Sequence, residues 1–174
     1  NDTFKVITLM GDEYICNHIL LAIGRRGSPR KLNVPGEEST KVAYRLLEPE
    51  RIQNKKILVV GGGDSAIETV LLLKENNEAI LSYRSDKFSR LKPKNREKIE
   101  AAIEDKTIKV IFNSTLASIH DDFVMLKTDT RTELEKIPND LVYIFAGGEL
   151  PTGFLQKSGV NISKRFGYVM KRHE

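Results

Sequence analysis

The sequence has very little cysteine. Cys16 is the only one, so the chain cannot form an internal disulfide or a Cys-x-x-Cys redox pair. We interpret Cys16 as a small buried hydrophobic side chain in a strand, which is how a free cysteine usually packs. The three histidines, His18, His120 and His173, lie far apart without the spacing of metal ligands, so we expect no metal site.

Long apolar runs are also missing. No stretch approaches the roughly 18 apolar residues that a membrane-spanning helix needs. The first residues, Asn-Asp-Thr-Phe-Lys, lack the charged-then-apolar order of a secretory signal. With 40% apolar residues and a mean hydropathy of -0.34, the composition is typical of a soluble globular protein. We therefore expect a cytoplasmic protein without a membrane partner.

Charge of one sign does not dominate, although 28 Lys and Arg against 24 Asp and Glu give a net charge of +4. Such a balance suits an acidic partner, either a nucleic acid or a phosphorylated cofactor. The densest basic cluster, residues 84–96, contains Phe88 as its single aromatic residue. One aromatic side chain is a poor platform for stacked bases, so the cluster favours a small nucleotide and not a nucleic acid.

The first 50 residues predict strands followed by a linker. Residues 4–10 alternate as a strand does, Gly11 and Asp12 indicate a turn, and residues 14–23 predict one or two further strands ending in a buried apolar run. The following segment is rich in Arg, Gly and Pro and has no hydrophobic period. We interpret it as a loop that crosses between domains.

From Lys55 the pattern predicts strands alternating with helices. Strands are expected at residues 57–60, 79–83 and 108–112, with helices at 64–74 and from Pro93 to about residue 104. Short alternating pieces over residues 115–137 then predict an antiparallel meander, and residues 141–146 predict a buried strand ending in two glycines. The fold class is therefore α/β: a Rossmann-like doubly wound parallel sheet with an antiparallel β-meander.

Three residues form a phosphate-binding pattern between the first strand and helix of this unit. Gly61, Gly63 and Ala66 give G-x-G-x-x-A, in which the first glycine permits a tight turn, the second admits a pyrophosphate, and the alanine keeps helix and strand close. The helix N-terminus offers unpaired N–H groups to the phosphates. A purely structural turn is the alternative.

Residues 82–85 lie where the choice between NAD and NADP is made, about 20 residues past the motif. This position carries Arg84 with small hydroxyl side chains and no carboxylate, which suits a 2′-phosphate. Arg90 could assist. Alternatively, both arginines are ordinary surface charges.

These residues resemble those of thioredoxin reductase-like flavoproteins. The stretch ILVVGGGDSAIETVLLL is similar to the glycine-rich segment of that family, and YRSDKFSR falls where the family has a His-Arg-Arg-x-x-x-Arg element that holds the NADPH 2′-phosphate. Tyr83 stands for the histidine and Arg84 for the first arginine. Ser85 replaces the second arginine, and Ser89 the last, with Arg90 one place later.

Two further stretches extend the resemblance over nearly the whole chain. LLAIGRRGSPRKLNVPGE resembles the segment by which such proteins leave the FAD domain, and VYIFAGGELPTGFL the segment that returns to it. The resemblance implies a nicotinamide-binding domain at residues 51–148, flanked by a partial FAD domain with its crossover at 1–50 and a return segment at 149–174. The implied cofactor-binding residues are Gly61, Gly62, Gly63, Asp64, Ser65, Ala66, Glu68, Tyr83, Arg84, Ser85, Arg90, Ala146, Gly147, Gly148, Ile23, Gly24 and Arg25.

The sequence also departs from this family. The glycine motif and the Gly-Asp motif of its FAD domain are missing, so we expect a fragment. The Cys-x-x-Cys pair of thioredoxin reductases is missing too, so the chain is closer to cysteine-free branches such as thioredoxin-reductase-like ferredoxin-NADP reductases.

The resemblance implies an oxidoreductase in which NADPH delivers hydride to FAD, with no catalytic residue of the protein named. The implied acceptor is a ferredoxin-like protein or a disulfide, and the full-length form is expected to be a homodimer. A nucleotide-binding, redox-sensing module without turnover is the first alternative, and a basic nucleic-acid-binding domain the second.

Overall fold

The structure is a computed structural model that describes residues 3–22, 29–148 and 151–163. The chain divides into two compact units, residues 1–27 with 150–174 and residues 28–149. The elements in chain order are β1 (Phe4–Ile7), β2 (Glu13–Cys16), β3 (Val42–Ala43), β4 (Lys56–Val60), α1 (Asp64–Leu73), β5 (Glu78–Ser82), α2 (Pro93–Glu104), β6 (Lys109–Ile111), β7 (Ser114–Ile119), β8 (Phe123–Thr128), β9 (Glu135–Pro138), β10 (Leu141–Ile144) and α3 (Thr152–Lys157).

The unit of residues 28–149 is built on a five-stranded sheet in the order β3-β10-β4-β5-β6. All its strand pairs are parallel, as the predicted alternation of strands and helices requires. The predicted helices are confirmed, and Pro93 occupies the first turn of α2. The short strand β3 pairs with β10 of this sheet, although it lies before residue 51, the first residue of the range expected for the nicotinamide-binding domain.

Each face of this sheet has its own apolar core. Ile57 and Val59 of β4 pack with buried residues of α1 and α2 on one side, whereas Leu58 between them packs on the other. This alternation is the period of two of a strand that is buried on both faces. The second face is covered by the antiparallel sheet β7-β8-β9, which confirms the predicted meander.

The loop before β3, residues 32–37, is ordered by a buried carboxylate. Glu37 is 5% exposed and accepts backbone N–H groups from Leu32 at 2.8 Å, Asn33 at 2.6 Å and Val34 at 3.3 Å, together with the hydroxyl of Tyr44 at 2.8 Å. Burial raises the pKa of Glu37, but the hydrogen bonds outweigh it and the net shift is downward. This loop is therefore held without regular secondary structure.

The described part of the other unit is an antiparallel hairpin, β1-β2, and the short helix α3. The hairpin confirms the predicted strands and turn, and Cys16 is half-buried at the end of β2. The prediction of strands over residues 14–23 that end in a buried apolar run is wrong for residues 18–22, which have no strand and of which Leu20 is exposed; residue 23 lies outside the described residues. An apolar run becomes a strand only where a partner strand pairs with it. Across the three described ranges, no helix has the length and apolar content to cross a membrane.

Candidate functional site

Three predicted site segments meet at one edge of the parallel sheet. Residues 61–66 follow β4, residues 83–85 follow β5, and residues 146–148 follow β10. Val60 at the end of β4 is in register with Ser82 on one side and Ile144 on the other. The carboxyl ends of the strands thus form one edge, which is where open α/β sheets bind ligands.

Gly61 is glycine for a reason internal to the chain. Its φ of +141° is one that other residues rarely adopt, and a Cβ there would lie 2.7 Å from the carbonyl oxygen of Phe145 and 3.2 Å from the Cβ of Ala66. Its N–H donates to the carbonyl of Ser82 at 2.9 Å. The tight turn expected of the first glycine is therefore present.

Gly62 is also explained by packing. A Cβ at this buried position would overlap the aromatic ring of Tyr83. That ring in turn stacks on Phe88, with 5.4 Å between ring centroids and an angle of 16° between planes. Tyr83 is therefore a support for the glycine turn within the unit.

Gly63 differs from Gly61 and Gly62 because no described residue of the chain requires a glycine there. It caps α1 with φ of -98° and ψ of 172°, an extended conformation open to any residue. A Cβ at this exposed position would meet no atom of the described residues within 4 Å. The space beside its backbone is open at the N-terminus of a ten-residue helix, where anions bind favourably.

The first two turns of α1 carry two carboxylates, Asp64 and Glu68, that are tied to the first turn of α2. The Asn95 side-chain nitrogen donates to Asp64 Oδ1 at 2.7 Å and to Glu68 Oε1 at 2.8 Å. The backbone N–H of Lys92 also donates to Asp64 Oδ1, at 3.0 Å. The Asn95 hydrogen bond, followed by that from Lys92, lowers the pKa of Asp64. Asp64 is therefore an anion near neutral pH, and Ser65 beside it is exposed.

The basic segment after β5 is anchored at Phe88, and the arginines on either side of this anchor, Arg84 and Arg90, are exposed. Phe88 is buried, and its carbonyl accepts from Arg96 Nη2 of α2 at 2.7 Å. Arg84 and Arg90 are exposed, and no ion pair of the described residues involves either. Ser85 is half-buried. Both guanidinium groups are thus available to a phosphate.

The third segment pairs with the start of this unit. The N–H of Arg30 donates to the carbonyl of Gly147 at 3.0 Å, and Pro29 forms a bridge with Gly148. Ala146 is half-buried, while the two glycines are exposed. The predicted flavin-site residues Ile23, Gly24 and Arg25 lie outside the described residues.

Asn95 is the site-region residue that the sequence analysis missed. It is 8% exposed and lies on one helical face with Ile99 and Ala102, which are also buried. A polar residue at the start of an apolar helix stripe is a signal that could have identified it.

Comparisons with known proteins agree with this geometry. A family model of pyridine nucleotide-disulphide oxidoreductases matches residues 1–173. A bacilliredoxin reductase of Bacillus subtilis is 30% identical over 169 residues, which cover 96% of this chain and 52% of the relative. A ferredoxin-NADP reductase of Thermus thermophilus is 30% identical over 173 residues, covering 94% of this chain and 51% of the relative. The chain spans about half the length of these relatives.

The solved structure of Lactococcus lactis thioredoxin reductase superposes with a TM-score of 0.70 at 29% identity, covering 84% of this chain and 49% of that one. The predicted α/β fold is confirmed, and so is the resemblance to thioredoxin reductase-like flavoproteins. The chain belongs to the pyridine nucleotide-disulphide oxidoreductase family.

Proposed function

We propose that residues 28–149 bind NADPH, and that the protein is an FAD-dependent oxidoreductase of which this chain is a fragment. The observation that carries the proposal is Gly63: it lies at a helix N-terminus, its conformation suits any residue, and no atom of the residues that the structure describes occupies the space its side chain would fill. A pyrophosphate beside the backbone explains why glycine is needed there.

The residues around Gly63 fit such a cofactor. The unpaired N–H groups at the start of α1 would hold the pyrophosphate, and the exposed Arg84 and Arg90 would hold the 2′-phosphate. Gly147 and Gly148, at the end of the neighbouring strand β10, would line the nicotinamide side. Hydride transfer to the flavin is the chemistry that the bound cofactors supply, so the protein contributes binding and orientation.

We propose that the other unit belongs to the FAD domain. Its hairpin and adjoining segments expose several large apolar side chains, among them Ile7, Leu9, Ile15 and Leu20. Exposed apolar side chains grouped in this way suit a domain that is completed by further chain. The electron acceptor would be a ferredoxin-like protein or a disulfide, and the lack of Cys-x-x-Cys leaves the acceptor to be met by another part of the protein.

The test is the absorption spectrum of the full-length protein as NADPH is added without oxygen. Loss of the flavin band within one turnover would support the proposal. A protein that binds NADPH tightly while the flavin band persists would instead be a nucleotide-binding sensor.

A further inference from the structure

Asn95 uses both hydrogens of its side-chain amide to bridge two carboxylates. Its nitrogen donates one hydrogen to Asp64 and the other to Glu68, over 2.7 and 2.8 Å. The amide orientation is determined by these partners, because an oxygen at that position would face two carboxylates. Asn95 therefore joins the first turn of α2 to two acidic residues of α1.

The position of Asp64 makes this contact relevant to ligand binding. Asp64 directly follows Gly63 and opens α1, so its carboxylate lies in the turn whose N–H groups attract anions. A carboxylate that was free to swing there would compete for those groups and repel a phosphate. In the structure, Asp64 is instead bound by Asn95 and by the Lys92 backbone N–H.

We propose that Asn95 is a positioning residue for the dinucleotide, holding the Asp64 and Glu68 carboxylates against α2 and so keeping the N-terminus of α1 open to the cofactor phosphates. This inference rests on the proposed function. A plain tie between two helices is the competing explanation, and the two explanations differ in whether the charge of Asp64 matters.

The experiment measures NADPH binding by calorimetry for the full chain and for Asn95→Ala. We expect the dissociation constant to rise about three- to tenfold, the size of a like-charge contact near a protein surface. Adding Asp64→Asn to Asn95→Ala should restore the parent affinity, because the freed carboxylate is then gone. A structural tie would give no such rescue, since the double variant has even fewer contacts between the helices.

Asn77→Ala is the matched control. The Asn77 amide donates to the carbonyls of Ile52 and Leu73, both at 2.9 Å, at the opposite end of α1. Its loss should lower the unfolding temperature and leave NADPH affinity unchanged. An Asn95→Ala chain that binds NADPH like the parent, or a defect that Asp64→Asn does not relieve, would overturn the inference.

A cofactor-free measurement separates this inference from the proposed function. Carbon NMR of the Asp64 carboxyl should show its pKa rising toward the ordinary value in Asn95→Ala, because the main hydrogen bond that lowers it is removed. An unchanged Asp64 pKa would contradict the hydrogen bond, or tether, from Asn95 to Asp64. A parent chain that shows the tether and binds no NADPH would contradict the proposed function, and with it the role assigned to Asn95.

Discussion

Gly62 lies against the ring of Tyr83 so closely that even a methyl group at position 62 would overlap it. The same ring stacks on Phe88, with 5.4 Å between the ring centroids, so a shift of the Tyr83 ring would alter that contact. The glycine turn after β4 therefore packs directly against Tyr83, the residue that follows β5. Contact with this aromatic ring is enough to require a glycine at the middle position of the motif.

The first prediction follows from that contact. Gly62→Ala should destabilise the chain by about 1–3 kcal/mol through overpacking, which lowers the thermal unfolding midpoint by roughly 2–12 °C. Gly63→Ser is the matched control, because its side chain enters open space and serine is a favourable helix cap. Equal midpoints for Gly62→Ala and the parent would mean that the ring of Tyr83 moves aside without cost.

The second prediction concerns the buried carboxylate of Glu37, which orders the loop before β3. Glu37→Gln places an amide N–H₂ among four donors and removes the charge they stabilise. The free energy of unfolding should fall by about 1.5–3 kcal/mol in urea titrations at neutral pH. Glu38→Gln is the control, because the side chain of Glu38 is 84% exposed and, among the described residues, forms an ion pair with Lys31 alone; it should cost less than about 0.5 kcal/mol.

The stability difference between the parent and Glu37→Gln should also depend on pH. The pKa of Glu37 is lowered below its ordinary value of 4.5, so the folded state favours the ionised form. Its contribution is therefore complete above pH 4.5 and is lost as the pH falls through the lower, folded-state value. The stability gap between parent and Glu37→Gln should narrow in acid. A gap that widens in acid would reverse the sign of the shift.

The third prediction concerns cofactor choice. Replacing both Arg84 and Arg90 with alanine should raise the dissociation constant for NADPH about 10- to 150-fold and leave that for NADH nearly unchanged, because only NADPH carries the 2′-phosphate. High salt should reduce the difference. Arg51→Ala is the control: Arg51 is also exposed, with an ion pair to Glu48, but it precedes β4 and so lies at the opposite edge of the sheet from Arg84. Equal weakening for both cofactors would make the arginines supports of the loop.

Much of the fold of residues 28–149 could be predicted from sequence, because the sequence patterns that specify its strands and helices are local. The continuous apolar strand at β4, the helical period of α1 and Pro93 before α2 each specify one element within a few residues. The glycine pattern could likewise be located between a strand and a helix.

What could not be predicted depends on contacts between distant residues. The strand β3 is two residues long and exists because β10 pairs with it. Gly62 is required by its contact with the ring of Tyr83, which directly follows the next strand. Asn95 forms hydrogen bonds with Glu68, which is 27 positions before it in the sequence, and with Asp64, which is 31 positions before it. The apolar residues 18–22 gave the opposite error: a strand was predicted and none is present. Hydrophobicity alone does not supply a partner strand.

The measurement that tests the central claim most directly is NADPH binding by Gly63→Val. Valine fits the extended backbone at this position, and its Cβ would meet no atom within the described part of the chain, so the variant should fold with only a small loss of stability as a less favourable helix cap. We predict that calorimetry shows NADPH binding weakened at least about 100-fold, because the side chain occupies the place of the pyrophosphate. A folded Gly63→Val chain that binds NADPH as tightly as the parent would contradict the account, and the glycine pattern would then be a structural turn.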